Sequence, residues 1–273
     1  MKLSFIGLSR SEVGGFGTTA YTDVFLYLNI QGIEQDKNWV QFNMTYKLGI
    51  SRLDELIGDI KNGTNIMMIG PPISGKDDIA NVIVCQGLLD ANAAVIVSTR
   101  EPGDNVLEWF EHYDPDIPMD RIGIVDCVTR TLGFGAHDTD NIKMASSPVD
   151  LTGIGVKISQ FLEHFWMEMQ LRETRLCINS LSTILMYSNL QTVFRFLHVF
   201  TGRMKAANAL GIYVIEEGMH DEKTIVTLKQ LFDGMIEIRE GEEGYQIRAV
   251  GFTPKPTPWF DYEIDGANIV LQG

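Results

Sequence analysis

The chain has 273 residues, of which 45% are hydrophobic, 21% charged and 10% aromatic, with a formal net charge of −14. This is globular composition, enough for one large domain with additions or two small ones. The acidic balance argues against a broad electrostatic surface for nucleic acid, and no run reaches the roughly 18 consecutive apolar residues of a membrane span.

The first apolar stretch, in MKLSFIGLSR, is interrupted by Ser4 and Gly7 and is too short for a signal-peptide core. A soluble, cytoplasmic protein is therefore expected. Residues 1–45 are glycine-rich early (VGGFGTT) and then alternate (TDVFLYLNI), which predicts an N-terminal extension of strands placed before a core domain over residues 46–273. From residue 64 the pattern alternates strand and helix: strand 64–70, helix 76–91, strand 93–99, helix 103–113 and strand 121–128. Residues 129–153 carry little periodicity and read as a long loop. A long amphipathic helix is expected over 155–173, then strand 174–181, helix 189–209 and strand 210–218. Residues 234–252 read as two alternating strands around the turn EGEEG, a hairpin signal. The Pro-rich TPKPTPW follows as a stiff connector, leading to the short strand candidates FDYEI and NIVLQ.

Short apolar runs separated by helices define the fold class: α/β, a mainly parallel sheet with helices on both faces and an antiparallel C-terminal edge. Cys85, Cys127 and Cys177 each sit in such an apolar run, as buried thiols do. The five histidines show no metal-ligand spacing. Aromatic-rich FLEHFWMEMQ and FRFLHVF, at helical spacing, are assigned to packing against the sheet.

Residues 70–78 read GPPISGKDD, close to the phosphate loop G-x-x-x-x-G-K-[ST], with Asp77 where a hydroxyl residue belongs. A strand precedes it and a helix follows, so its N–H groups and helix N-terminus are placed to surround phosphate oxygens. Gly70, Pro71, Pro72, Ile73, Ser74, Gly75, Lys76, Asp77 and Asp78 are the candidate nucleotide-binding residues. Two unit charges about 4 Å apart interact by roughly 4 kcal/mol at an effective dielectric of 20. A carboxylate at a helix N-terminus gains only about 0.3–1 kcal/mol from the dipole. Next to a bare triphosphate Asp77 is therefore repulsive. It becomes favourable if it ligates a magnesium ion, or if an aspartate caps the helix and pairs with Lys76 to fill the anion site from within. Ile73 is strained if its position needs a positive φ.

Over residues 48–265 the chain resembles the KaiC/RadA branch of the RecA-superfamily P-loop ATPases. LGISRLDELIG resembles the family's lead-in, GPPISGKD its GPPGTGKT loop, and VIVSTREPGDNVLEWF the segment with paired glutamates. RLCINSLSTIL resembles the Walker B strand, and LFDGMIEIRE the late D-G-V-I-x-L segment. The resemblance implies a RecA-like core with degenerate motifs. The magnesium-binding hydroxyl becomes Asp77, the Walker B aspartate becomes Asn179, and the glutamate pair becomes Arg100-Glu101. The basic pattern that reaches a neighbouring subunit is reduced to Arg248. Glu101 is thus the candidate catalytic acid, with a retained structural acid as the alternative. Asn179 is a candidate beside the phosphates, or a locally bonded strand-end residue. Glu216 and Glu217 end a strand at the same rim, as crevice residues or as a solvated acidic edge.

The implied function is an ATP-binding regulatory or scaffold protein with impaired or absent hydrolysis, a pseudo-ATPase. ATP or ADP is the expected nucleotide, and little footing remains for magnesium. Family members commonly form rings, which implies a homo-oligomer or a protein partner; nucleic acid is not an expected partner. Three alternatives stand beside it: an active magnesium-dependent ATPase with rearranged ligands, a RadA-like DNA-associated protein, and a structural module with an empty loop.

Overall fold

The structure, a computed structural model, describes residues 45–133, 135, 137–265 and 268–272. All of these belong to the unit Asn43–Gly273. The strands expected within residues 1–45 lie outside the described residues, apart from Thr45. Thr45–Tyr46 (β1) pairs antiparallel with Ile60–Lys61 (β2) in a small two-stranded ribbon.

The main sheet has ten strands. They are Asn65–Gly70 (β3), Ala93–Ser98 (β4), Ile122–Asp126 (β5), Ile142–Met144 (β6), Thr174–Ile178 (β7), Leu210–Glu216 (β8), Gly234–Glu240 (β9), Tyr245–Val250 (β10), Phe260–Asp265 (β11) and Asn268–Gln272 (β12). Their order is β12-β11-β10-β9-β3-β8-β7-β4-β5-β6. From β9 to β6 every pairing is parallel, and β10, β11 and β12 add antiparallel neighbours at one edge. The expected α/β class with its antiparallel C-terminal edge is the observed architecture.

The continuous apolar runs follow from burial on both faces, since strand side chains alternate. Ile66, Met68, Ala94 and Ile96 face one core, with the helices Ser51–Ile57, Lys76–Leu89 and Gly103–Tyr113. Met67, Val95 and Val97 face the other, with Leu151–Glu163, Leu181–Tyr187 and Leu190–Ala206. The three cysteines are buried free thiols. Phe161, Phe165, Phe196 and Phe200 of the two aromatic segments lie in this second core.

Three local readings are corrected. Residues 129–153 are not one loop: Ile142–Met144 adds a parallel edge strand beside β5, and Asp150 caps the next helix by accepting from Gly153 N at 2.8 Å. Asp138 holds the intervening segment, accepting from Met144 N at 2.8 Å and from Lys157 Nζ at 2.6 Å. Three alternating residues are too short to register as a strand against a polar background. The helix expected over 155–173 is Leu151–Glu163 followed by a π-helical turn, His164–Glu168, and Gln170 then turns with φ 61°. The strand expected to reach residue 181 stops at Ile178. Ser180 then caps the helix Leu181–Tyr187 by accepting from Thr183 N at 3.1 Å. A further helix, Glu222–Lys229, starts at Asp221, which accepts from Thr224 N at 2.6 Å.

At the amino ends of the strands a fully buried Arg175, on β7, ties the lead-in to the sheet. Its Nη1 donates to Lys47 O at 2.8 Å and Ile83 O at 2.6 Å, and its Nε donates to Asn92 Oδ1 at 3.2 Å. Burial lowers its pKa to about 10, opposed by the charges around it, of which Asp90 is the largest. The aspartate of the lead-in, Asp54, accepts from Leu48 N at 2.7 Å and Gly49 N at 2.9 Å. Gly87 is required beside Arg175, because a Cβ there would collide with the arginine's Nε and Cδ. Gly87→Ala is expected to destabilise the protein by about 1–2 kcal/mol in urea unfolding, overpacking outweighing the roughly 1 kcal/mol gain in helix propensity.

Candidate functional site

The carboxyl ends of β3, β8, β7 and β4 lie side by side, and residues 70–78 leave the first of them. The loop keeps the turn that its glycines suggest. Ile73 has φ 61° and Gly75 φ 71°, and Lys76 opens the helix Lys76–Leu89 without a side-chain cap. Ile73 takes a left-handed conformation that costs an L-residue roughly 1–2 kcal/mol. Its side chain projects into solvent, 94% exposed. The doubtful position therefore bears strain and leaves the turn intact. Gly75 needs its hydrogen twice over, since its φ is positive and a Cβ would meet Ile264 Cδ1 on β11. Beside it, the Tyr262 hydroxyl donates to the Ser74 carbonyl, so the antiparallel edge holds residues 70–78 from outside.

The loop lysine is almost wholly buried, and its charge meets a carboxylate. Lys76 Nζ lies 2.6 Å from Glu216 Oε2, the side chains being 2% and 11% exposed. The ammonium also donates to Pro71 O at 3.1 Å. The Glu216 contact is electrostatic rather than well directed, since Oε2 makes no regular hydrogen bond. Glu216 Oε1 accepts from Arg100 Nη1 at 3.1 Å, and Arg100 Nη2 reaches Asp77 Oδ2 at 2.5 Å. The result is a linear chain Lys76–Glu216–Arg100–Asp77 of two cations and two anions. Burial tends to lower the Arg100 pKa. The hydrogen bond and charge of Asp77, then Glu216 and Glu101, outweigh it and hold the guanidinium above its usual value.

The remaining candidate residues are placed as follows. Asn179 follows β7, where its Oδ1 accepts from Thr99 N at 3.0 Å and from Thr99 Oγ1 at 3.3 Å. Its Nδ2 donates to Ser98 Oγ at 3.4 Å. The amide thus fastens the rim of β7 to that of β4. Glu101 follows Arg100 at the end of β4, where its carbonyl accepts from Ser98 Oγ at 2.6 Å. Desolvation raises its carboxyl pKa, Arg100 pulls it down, and Asp77 adds to the rise. Asp78 is half-buried and raised first by desolvation and then by the charge of Asp77. Gly70 is packed against Ile238, and its carbonyl accepts from Glu217 N at 2.8 Å. Pro71 contributes the carbonyl already noted, and Pro72 is exposed at the tip.

Of the expected residues, the structure therefore brings Lys76 and Asp77 into one ion network and sets Asn179 and Glu101 along the same rim. Asp77 faces Arg100, and the partner of Lys76 is Glu216; neither loop aspartate pairs with Lys76. The acidic strand end at Glu216 is buried, whereas a solvated edge was an open alternative. Tyr262, far away in sequence, carried no local signal. Arg248 pairs with Glu237 at 2.6 Å and lies over Trp259, 4.3 Å from the ring centroid.

A parallel sheet with this loop on β3, a neighbouring β8 and an antiparallel edge defines a KaiC-like RecA fold. The chain belongs to a family of unknown function, DUF7504, whose model matches residues 63–238. No curated protein matches its sequence. Among solved structures it is similar to the uncharacterized protein PH0321 of Pyrococcus horikoshii, crystallised with an unknown peptide. That likeness has TM-score 0.65 and 20% identity, covering 83% of this chain and 98% of the other. It is also similar to the KaiC-like protein PH0186 of Pyrococcus horikoshii OT3, with TM-score 0.61 and 15% identity over 85% and 100% of the two chains. Among the described residues no helix is long and apolar enough to cross a membrane, and no cluster of His, Cys, Asp or Glu is arranged to hold a metal ion.

Ile73→Gly tests whether the loop turn is imposed on its sequence. Relief of the left-handed strain, less the larger unfolded-state entropy of glycine, is expected to raise stability by up to about 1 kcal/mol. A thermal midpoint at or below that of the parent would contradict a strained loop.

Proposed function

We propose that the protein is a RecA-like regulatory or scaffold protein that binds a nucleotide at residues 70–78 and does not hydrolyse it. The observation that carries this reading is the division within the site. The loop keeps the backbone of a phosphate cradle, positive φ at residues 73 and 75 included, while the side chains at the hydrolytic positions are engaged with protein groups. Asp77 is bound to Arg100, and Asn179 is bound to Thr99. Phosphoryl transfer depends on metal ions and a positioned base to stabilise charge and orient water. Glu101 without a metal cradle supplies only one of these parts.

ATP or ADP is the proposed ligand, and magnesium is not a required one. Asp77 would be the first candidate to hold the ion, through Oδ1, since its Oδ2 is taken by Arg100. A second copy of the chain, or a protein or peptide partner, is the proposed recipient of the signal. The peptide bound to PH0321 and the ring-forming habit of the resembling family support that direction.

Calorimetry with ATP is expected to give a saturable isotherm, with or without magnesium, that Lys76→Ala weakens at least tenfold. An affinity unchanged by Lys76→Ala would remove the loop from the reading. Phosphate release is expected at background level in the parent protein and in Glu101→Gln alike. Magnesium-dependent release abolished by Glu101→Gln would instead establish a working ATPase with rearranged ligands.

A further inference from the structure

We infer that Glu216 is an internal occupant of the phosphate site, a carboxylate latch that must leave Lys76 before a nucleotide phosphate can reach the loop. The inference rests on the proposed nucleotide-binding role of residues 70–78 and adds how access to them is controlled.

Three observations carry it. First, the position is built by the sheet. Glu216 is the last residue of β8 and stands directly across the ladder from Gly70, the residue at which the loop leaves β3. Its carboxylate therefore arises within one strand spacing of the anion site. Second, it engages the cations an incoming phosphate would need. One oxygen takes Lys76 at 2.6 Å and the other takes Arg100 at 3.1 Å. A phosphate is stabilised by the same charge-assisted contacts and cannot share Lys76 with an ionised carboxylate without like-charge repulsion.

Third, only the side chain has to move. The backbone around Glu216 is held by other bonds: its own N–H donates to Ser182 Oγ at 2.9 Å, and Glu217 N donates to Gly70 O at 2.8 Å. Rotation of the Glu216 side chain breaks neither. Arg100 and Asp77 are 34% and 41% exposed against 2% for Lys76. Opening therefore starts at the outer pair, where water or an anionic ligand can reach Arg100. It ends at Lys76, where phosphate replaces carboxylate. A purely structural pairing, with no phosphate site behind it, would give no gain in ATP affinity when Glu216 loses its charge.

The test compares the parent with Glu216→Gln and with Glu216→Gln combined with Lys76→Ala. Two readouts are used: the rate of Lys76 acetylation by an acetyl N-hydroxysuccinimide ester, mapped by peptide mass spectrometry, and ATP affinity by calorimetry. Glu216→Gln is expected to acetylate Lys76 at least tenfold faster and to bind ATP at least tenfold more tightly. The gain in affinity is expected to vanish in the double variant. An unchanged labelling rate at Lys76 overturns the latch. Faster labelling with no ATP binding in any variant leaves the latch standing and defeats the nucleotide-binding reading. Should Glu216→Gln fail to fold, Glu216→Asp replaces it. That variant keeps the charge but withdraws it by one methylene, and labelling no faster than in the parent then overturns the proposal.

Discussion

The pairing of β8 between β3 and β7 is the constraint on which the site depends. Parallel ladders set neighbouring strands about 4.8 Å apart, so whatever residue ends β8 faces the start of the loop 70–78. Here that residue is Glu216, opposite Gly70, and a negative charge so close to Lys76 decides the electrostatics of the whole rim. Arg100 at the end of β4 balances the second oxygen and in turn occupies Asp77. Each ion finds its partner, and the network is formally neutral. Neither Lys76 nor Arg100 is therefore left as an uncommitted positive charge.

The backbone and the side chains of this site meet different constraints. The left-handed turn is adopted even where its residue resists it, as at Ile73. It is held by the Tyr262 hydroxyl on Ser74, by Ile264 against Gly75, and by Ile238 against Gly70. All three come from the C-terminal strands β9 and β11, so the antiparallel edge supports the loop as well as extending the sheet. The side chains, by contrast, are engaged in protein contacts. Asn179 joins two strand rims and Asp77 joins a guanidinium. The ion pairs favour a single arrangement of these side chains.

The amino-terminal side of the sheet shows a comparable economy. Arg175 is buried beneath Tyr46, with its centre 5.5 Å from the ring. It links the lead-in segment, the helix Lys76–Leu89 and β7 through carbonyl and amide oxygens. A buried guanidinium is tolerated because nearly every donor is used. The helix Lys76–Leu89 is thus held at its middle by an arginine and at its start by a lysine.

The architecture was legible because its signals are local. TNIMMIG, AAVIVST and LGIYVIEEG carry uninterrupted apolar runs, and the glycines and lysine of GPPISGKDD announce a loop between strand and helix. The brief strand Ile142–Met144 and the helices after Ser180 and Asp221 were hidden. Three residues make too short a pattern, and a capped helix of seven or eight residues presents little periodicity. Composition, element order and the identity of the loop were determined by the sequence itself, since they depend on neighbouring residues. The partners of Lys76, Asp77 and Asn179 were decided only by the tertiary structure. Glu216 lies 140 positions from Lys76 in the chain, and no local pattern says that β8 will insert beside β3. Strand order brings those charges together, and strand order is a property of the packed sheet.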